Sequence, residues 1–291
     1  VTVAANAWGW LRRNALPIYA GFAVAYMLIP IAVIAIFSFG DTPQGKLTFT
    51  LGEGFTLDYW RTVFDIPELN EALLTSLRLA ALSTLISTVI GTLMAIALVR
   101  HRFFGRRAAN LLIVIPMATP EVVIGASLLS MFIYYSFTLG FSTLLIAHVM
   151  FSISFVVVVV RSRLIGFDRN LEEAAADLGA TPLTTFRTVT LPLLMPGVIA
   201  AALLAFALSI DDFVISNFNS GTTVTFPLYV YGVSLRGIPV QVNALATLLF
   251  VVTVLAVVLV LWQQRRAERM AAVRPEREAP PIPAPPAQAT T

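Results

Sequence analysis

Leu171-Glu172-Glu173-Ala174-Ala175-Ala176-Asp177-Leu178-Gly179-Ala180-Thr181-Pro182-Leu183-Thr184-Thr185-Phe186-Arg187-Thr188-Val189-Thr190-Leu191-Pro192 is a polar island between long apolar runs. It reads as two short helices. Asn170 can cap the first, with Glu173 at the third helical position closing a capping-box-like pair. Leu171, Ala174, Ala175 and Leu178 share one face at helical spacing. Gly179 suits the left-handed residue that ends a helix, so a positive φ is expected there. Thr181-Pro182 starts a second turn, a cap followed by proline at the first helical position, and Pro192 stops it. The face is small and rich in alanine, without a large aromatic anchor. That argues against a helix resting on a bilayer and leaves room for a partner protein to seat.

Working outward, 58% of the 291 residues are hydrophobic and 12% charged, with a mean hydropathy of +0.84. Soluble domains carry about 25% charged residues, so the chain reads as a polytopic membrane protein. The absence of cysteine excludes disulfides, thiolate metal sites and thiol nucleophiles. The net charge is only +3 and the arginines are dispersed, so no basic stripe points to nucleic acid. The first apolar segment is long and lacks a small-residue cleavage site, so no cleavable signal peptide is expected.

A span needs about 20 apolar residues. Six segments qualify: 17–39, 71–99, 108–136, 140–160, 193–216 and 240–262. The expected organisation is an N-terminal segment 1–16, a six-helix membrane domain 17–265 containing the polar segment 162–192, and a disordered Pro-rich tail 266–291. Placing the N-terminus in the cytoplasm puts fifteen of nineteen basic residues inside, Arg12, Arg13, Arg100, Arg102, Arg106, Arg107, Arg161, Arg163, Arg169 and Arg187 among them. Both termini are therefore expected in the cytoplasm. Trp8, Trp10 and Trp262 fall near the inner interface and Trp60 in the outer loop. In that loop residues 57–64 read as a short amphipathic surface helix. Ser83, Ser87, Gly91 and Ala95, four apart in the second span, form a small-residue stripe that lets a neighbouring helix approach.

Two spans carry acids. From Pro196, fifteen residues at ~1.5 Å each put Asp211 about 22 Å along the fifth span, in the outer half of the membrane. Adjacent residues point about 100° apart, so Asp211 and Asp212 cannot both face one site. One can face a pathway, while the other meets a helix neighbour or water; Arg78, at similar depth, is a candidate ion-pair partner. Glu121 follows Pro120 in the third span, where proline weakens the helical ladder; it either faces a pathway or pairs. His101 and His148 are the only histidines and form no metal cluster; His148 is expected to be packed and hydrogen-bonded. Residues 40–47 nearly spell a phosphate-binding loop, yet lack the final Ser/Thr and the strand and helix around it. ATP hydrolysis by this chain is not expected, nor is a nucleophile-base constellation visible.

Glu173-Ala174-Ala175, Gly179 and Leu191-Pro192 resemble the coupling motif of bacterial ATP-binding-cassette importer permeases. Arg161–Asp168, Leu208–Asp212 and Val242–Thr247 resemble the polyamine branch, most closely its second spermidine/putrescine permease subunit. The resemblance covers roughly residues 17–265 and implies an all-α type I importer permease fold. It implies that Glu173, Ala174, Ala175, Gly179, Leu191 and Pro192 dock on an ATPase. The implied partners are an ATP-binding subunit homodimer, a second homologous permease and an extracytoplasmic solute-binding protein. ATP and magnesium would then sit in the ATPase, with no cofactor in this chain. The resemblance also places Glu121 where the branch carries an acid linked to uptake, and Tyr59 and Trp60 at an aromatic pair near the outer entrance, where they can attract cations or anchor the interface.

The expected function is ATP-driven polyamine import through alternating access, in a bacterial inner membrane. Another solute (ferric ion, thiamine, an oxyanion) is the nearest rival. A proton-coupled secondary transporter would use the same carboxylates and leave 171–192 without a task.

Overall fold

The computed structural model describes residues 2–40, 54–166, 168 and 170–273. The near-phosphate-loop sequence after Gly40, Arg169 and the tail from 274 onward lie outside them, as do the side chains of Trp8, Trp10, Arg12 and Arg13. The described residues form helices joined by turns and short loops, with one isolated bridge between Gly40 and Phe55 and no strand among them. They fall into two units: the chain up to Trp60 together with the chain from Val240, and Arg61–Pro239.

The first unit holds α1 (Thr2–Phe37), α2 (Asp58–Arg61, whose last residue begins the other unit) and α12 (Val240–Val273). The apolar part of α1, Asn14–Phe37, is long enough to cross a membrane and none of its best window is buried. The apolar part of α12 within the searched residues is the shorter Val240–Leu255. The expected surface helix over 57–64 contracts to the single turn of α2. Trp60 there stacks on Phe39 with centroids 5.1 Å apart.

The second unit is built on α3 (Pro67–Arg100), α6 (Phe141–Ile165) and α9 (Leu191–Ile210). α6 is the central helix, with 56% of its apolar window buried. It carries five consecutive valines, Val156–Val160. In hydrocarbon every backbone group must be satisfied within its own segment, which overrides their strand preference. Val156, Val157 and Val160 pack with Ala95 of α3 and with Ala201 and Ala205 of α9. The small-residue stripe on α3 is the seam: Ser83, Ser87, Gly91 and Ala95 are all buried. A Cβ added at Gly91 would lie 2.7 Å from Val156 Cγ1, so only glycine permits this approach.

The third expected span is not one helix. It is α4 (Arg106–Ala118) and α5 (Glu121–Tyr134), bent by 112° at the break. Proline disfavours the helical conformation of the residue before it, and Thr119 is extended at φ −89°, ψ 134°. Pro120 therefore breaks the span rather than weakening it. Among the described residues, four helices are long and apolar enough to cross a membrane, five if the bent pair is one crossing. The fifth expected span also stops early: α9 ends at Ile210, and α10 (Val214–Asn219) follows the two aspartates. α11 (Phe226–Ser234) is tied back to α3 by the Phe226 amide, which donates to Ser76 Oγ at 2.8 Å.

Candidate functional site

The polar island folds as α7 (Asn170–Asp177), α8 (Pro182–Thr185), a π-helical turn Phe186–Thr190 and the start of α9. Asn170 is inside α7 rather than capping it. The capping acceptor is Asp168 Oδ1, which takes the Asn170 amide at 3.0 Å. Gly179 has φ +81° as expected. Its amide donates to Ala176 O at 2.8 Å and that of Ala180 to Ala175 O at 3.1 Å. This pair of bonds is the Schellman ending. Thr181 caps α8 as expected, its side chain accepting from the Thr184 amide.

Pro192 does not stop the second helix. The chain runs on through the π-turn, where the Leu191 amide reaches back five residues to Phe186 O. A π-turn re-registers the ladder just where Pro192 has no amide to give. Leu191 and Pro192 are thus the first turn of α9, and the second helix of the island runs without a break into it.

On α7, Leu171, Glu173, Ala174 and Leu178 are exposed, as is Gly179 after it; Ala175 is half-buried. A face with an 89% exposed leucine at its end is open to a partner. The helix is held by Glu172, a residue that sequence reasoning passed over. Its Oε1 accepts from Arg100 Nη2 at 2.9 Å and from Thr190 Oγ1 at 2.6 Å. One carboxylate thus joins α7 to the end of α3 and to the π-turn.

At the other end of α9 the adjacent aspartates part company. Asp211 is exposed, and its carboxylate turns back on its own backbone amide, with no ion pair among the described residues. The Asp212 side chain is 6% exposed. Its oxygens accept the amides of Ile215 (3.2 Å) and Ser216 (2.8 Å), capping α10, and Oδ2 lies 3.4 Å from His148 Nε2. His148 is packed and hydrogen-bonded as expected: Nδ1 meets Ser209 Oγ at 2.8 Å and Nε2 meets Ser216 Oγ at 3.0 Å. Ser83 Oγ donates to Ser209 Oγ at 3.0 Å.

A neutral imidazole protonated on Nε2 satisfies the whole chain. Ser83 donates to Ser209, Ser209 to Nδ1, and Nε2–H faces Ser216 and Asp212. The Ser–His–Asp set comes from three distant stretches, which is why no constellation was visible in sequence. With Ser209 4% and His148 2% exposed, no substrate can reach it, and it serves packing rather than acyl transfer.

Arg78 does not pair with either aspartate. It is exposed beside a cavity of about 500 Å³ with Thr75, Ala81, Leu82 and Phe141, and forms no ion pair among the described residues. Glu121 is the exposed first residue of α5, likewise without an ion pair among them. One turn on, Gly125 packs on Phe218, and the Asn219 side chain donates to Gly125 O, so α5 is packed closely on α10. Tyr59 and Trp60 belong to the other unit, and the Trp60 ring is taken up by Phe39.

Among the described residues the fold is an apolar helical bundle with helices long enough to cross a membrane, the class of a polytopic membrane protein. The family comparison agrees: residues 87–271 match the binding-protein-dependent transport system inner membrane component. The chain belongs to that family and is an inner-membrane permease subunit of ATP-binding-cassette importers. It is 39% identical over 236 residues to the spermidine/putrescine transport system permease protein PotC of Haemophilus influenzae, covering 81% of this chain and 90% of that one. It is 38% identical over 237 residues to the putrescine transport system permease protein PotI of Escherichia coli K12, covering 79% and 82%. Among solved structures, it superposes on a bacterial alginate ABC transporter in complex with an alginate pentasaccharide-bound periplasmic protein. There the TM-score is 0.61 and the identity 18%, over 90% of this chain and 97% of the other. An amino acid ABC transporter gives 0.56 at 18%, covering 72% and 100%. At such identities the structures speak for the fold.

Proposed function

We propose that this chain is the permease subunit of a polyamine importer, working by alternating access with an ATP-binding homodimer, a second homologous permease and an extracytoplasmic binding protein. The observation that carries the mechanism is the exposed α7, capped by Asp168 and ended by Gly179, followed by α8, which is continuous through the π-turn with α9. Closure of the two ATPases, which hold the ATP and magnesium, pushes Glu173, Ala174, Ala175 and Gly179. Leu191 and Pro192 pass the push to α9, whose far end carries Asp211. Both chain termini lie on the ATPase side.

Polyamine as cargo is supported by the likeness to permeases named for spermidine and putrescine over four fifths of the chain. Exposed Asp211 and Glu121 suit a polycation, since an unpaired carboxylate lowers the barrier to its passage by direct attraction. Tyr59 and Trp60 contribute ring faces on the outer side.

The test is uptake of labelled spermidine into vesicles carrying the four-part complex. Uptake should require ATP and the loaded binding protein, and persist with a protonophore present. Gradient-driven uptake by this chain alone would move it to the secondary carriers.

A further inference from the structure

We infer that His148 is a positioning residue for cation passage: through Asp212 it fixes the break between α9 and α10 and so presents Asp211 outward. The inference rests on the reading of Asp211 as the pathway carboxylate.

The two aspartates have the same chemistry and opposite environments. The break between the helices is short, and its local hold is weak on the α9 side, where the Asp211 amide reaches Ala207 O at 3.4 Å. Its conformation is therefore set by what Asp212 is bound to. That carboxylate is filled by two α10 amides and faces His148. His148 in turn is seated on α6, the most buried helix, and its other nitrogen is held by Ser209 and, behind it, Ser83 of α3. One imidazole thus references the break to three helices at once. Asp211 is the C-cap of α9 at φ −98°, ψ −2° and is joined directly to Asp212, so holding Asp212 inward constrains where Asp211 points. Without the imidazole, the buried carboxylate keeps the two α10 amides and Ser216 but loses its tie to α6, and a buried charge short of partners turns toward water or takes up a proton. Either change frees residue 211.

The chain has no cysteine, so Asp211→Cys gives it a single thiol, whose labelling by a cationic methanethiosulfonate in vesicles carrying the full complex is read on this chain after the subunits are separated. Its labelling rate reads the placement of residue 211 whatever the cargo. Against His148 intact, His148→Leu should slow labelling about fivefold or more. His148→Gln, whose amide can donate from near the Nε2 position, should recover most of that loss. Equal rates with His148→Leu would overturn the positioning role and leave the polyamine reading standing. If His148→Leu fails to assemble, Asp212→Asn takes its place with the same two outcomes. Fast labelling of the Asp211→Cys chain together with no polyamine uptake by the complex in which Asp211 is intact would instead sink the cargo assignment.

Discussion

Arg100 Nη2 and Glu172 Oε1 meet at 2.9 Å, joining the last residue of a membrane helix to a short helix seventy-two residues later. The pair is partly buried, with side chains 14% and 23% exposed, and Thr190 supplies a second hydrogen bond to the same oxygen. Charged hydrogen bonds of this kind are worth about 1.5–3 kcal/mol. Glu172→Gln or Arg100→Ala should leave the complex assembled but lower the polyamine moved per ATP hydrolysed. The reversal Arg100→Glu/Glu172→Arg should recover part of it. Unaltered stoichiometry in both single variants would remove the pair from the force path.

Gly179 makes a second, separable test of the same segment. A Cβ there would meet nothing within 4 Å, so any cost is conformational. At φ +81° that cost is roughly 1–2 kcal/mol for an L-residue. Gly179→Ala should therefore weaken stimulation of the ATPase by loaded binding protein, and Gly179→Asn, which tolerates this region better, should weaken it less. Full stimulation in the alanine variant, with the complex intact, would show that the Schellman ending is not needed for docking.

Gly91 is constrained by space instead. A methyl group there collides with Val156, a stiff β-branched side chain that cannot swing aside. Overpacking of this kind costs about 1–3 kcal/mol. Gly91→Ala should lower the thermal unfolding midpoint in detergent, and Val156→Ala in the same chain should restore part of the loss. Additive destabilisation by the two changes would mean that α3 and α6 do not meet there as described.

Much of this architecture was legible before any coordinates. Long charge-free runs made α3 and α6 plain, and the small-residue stripe identified the face they share. Gly179 and Thr181-Pro182 marked the turn and cap in the polar island because their signals are local. The misreadings were also local, where two rules competed. Pro120 acted through Thr119 to break a span, and Asp212 found two amides to cap, which ended α9 at Ile210. Pro192 was absorbed by a π-turn that no periodicity announces. Arg100–Glu172 and His148–Asp212 were out of reach for another reason: their partners are 72 and 64 residues apart, and packing alone decides that they meet.

The exposed Asp211 is the most direct point of attack on the central claim. A unit charge about 4 Å from a carboxylate gains roughly 4 kcal/mol at an effective dielectric of 20, and a third of that is tenfold in rate. In vesicles carrying the assembled complex, initial ATP-driven spermidine uptake should fall about tenfold in Asp211→Asn and much less in Asp211→Glu. Glu121→Gln should show a smaller loss of the same kind. Wild-type uptake by the Asp211→Asn/Asp212→Asn double variant would contradict the account.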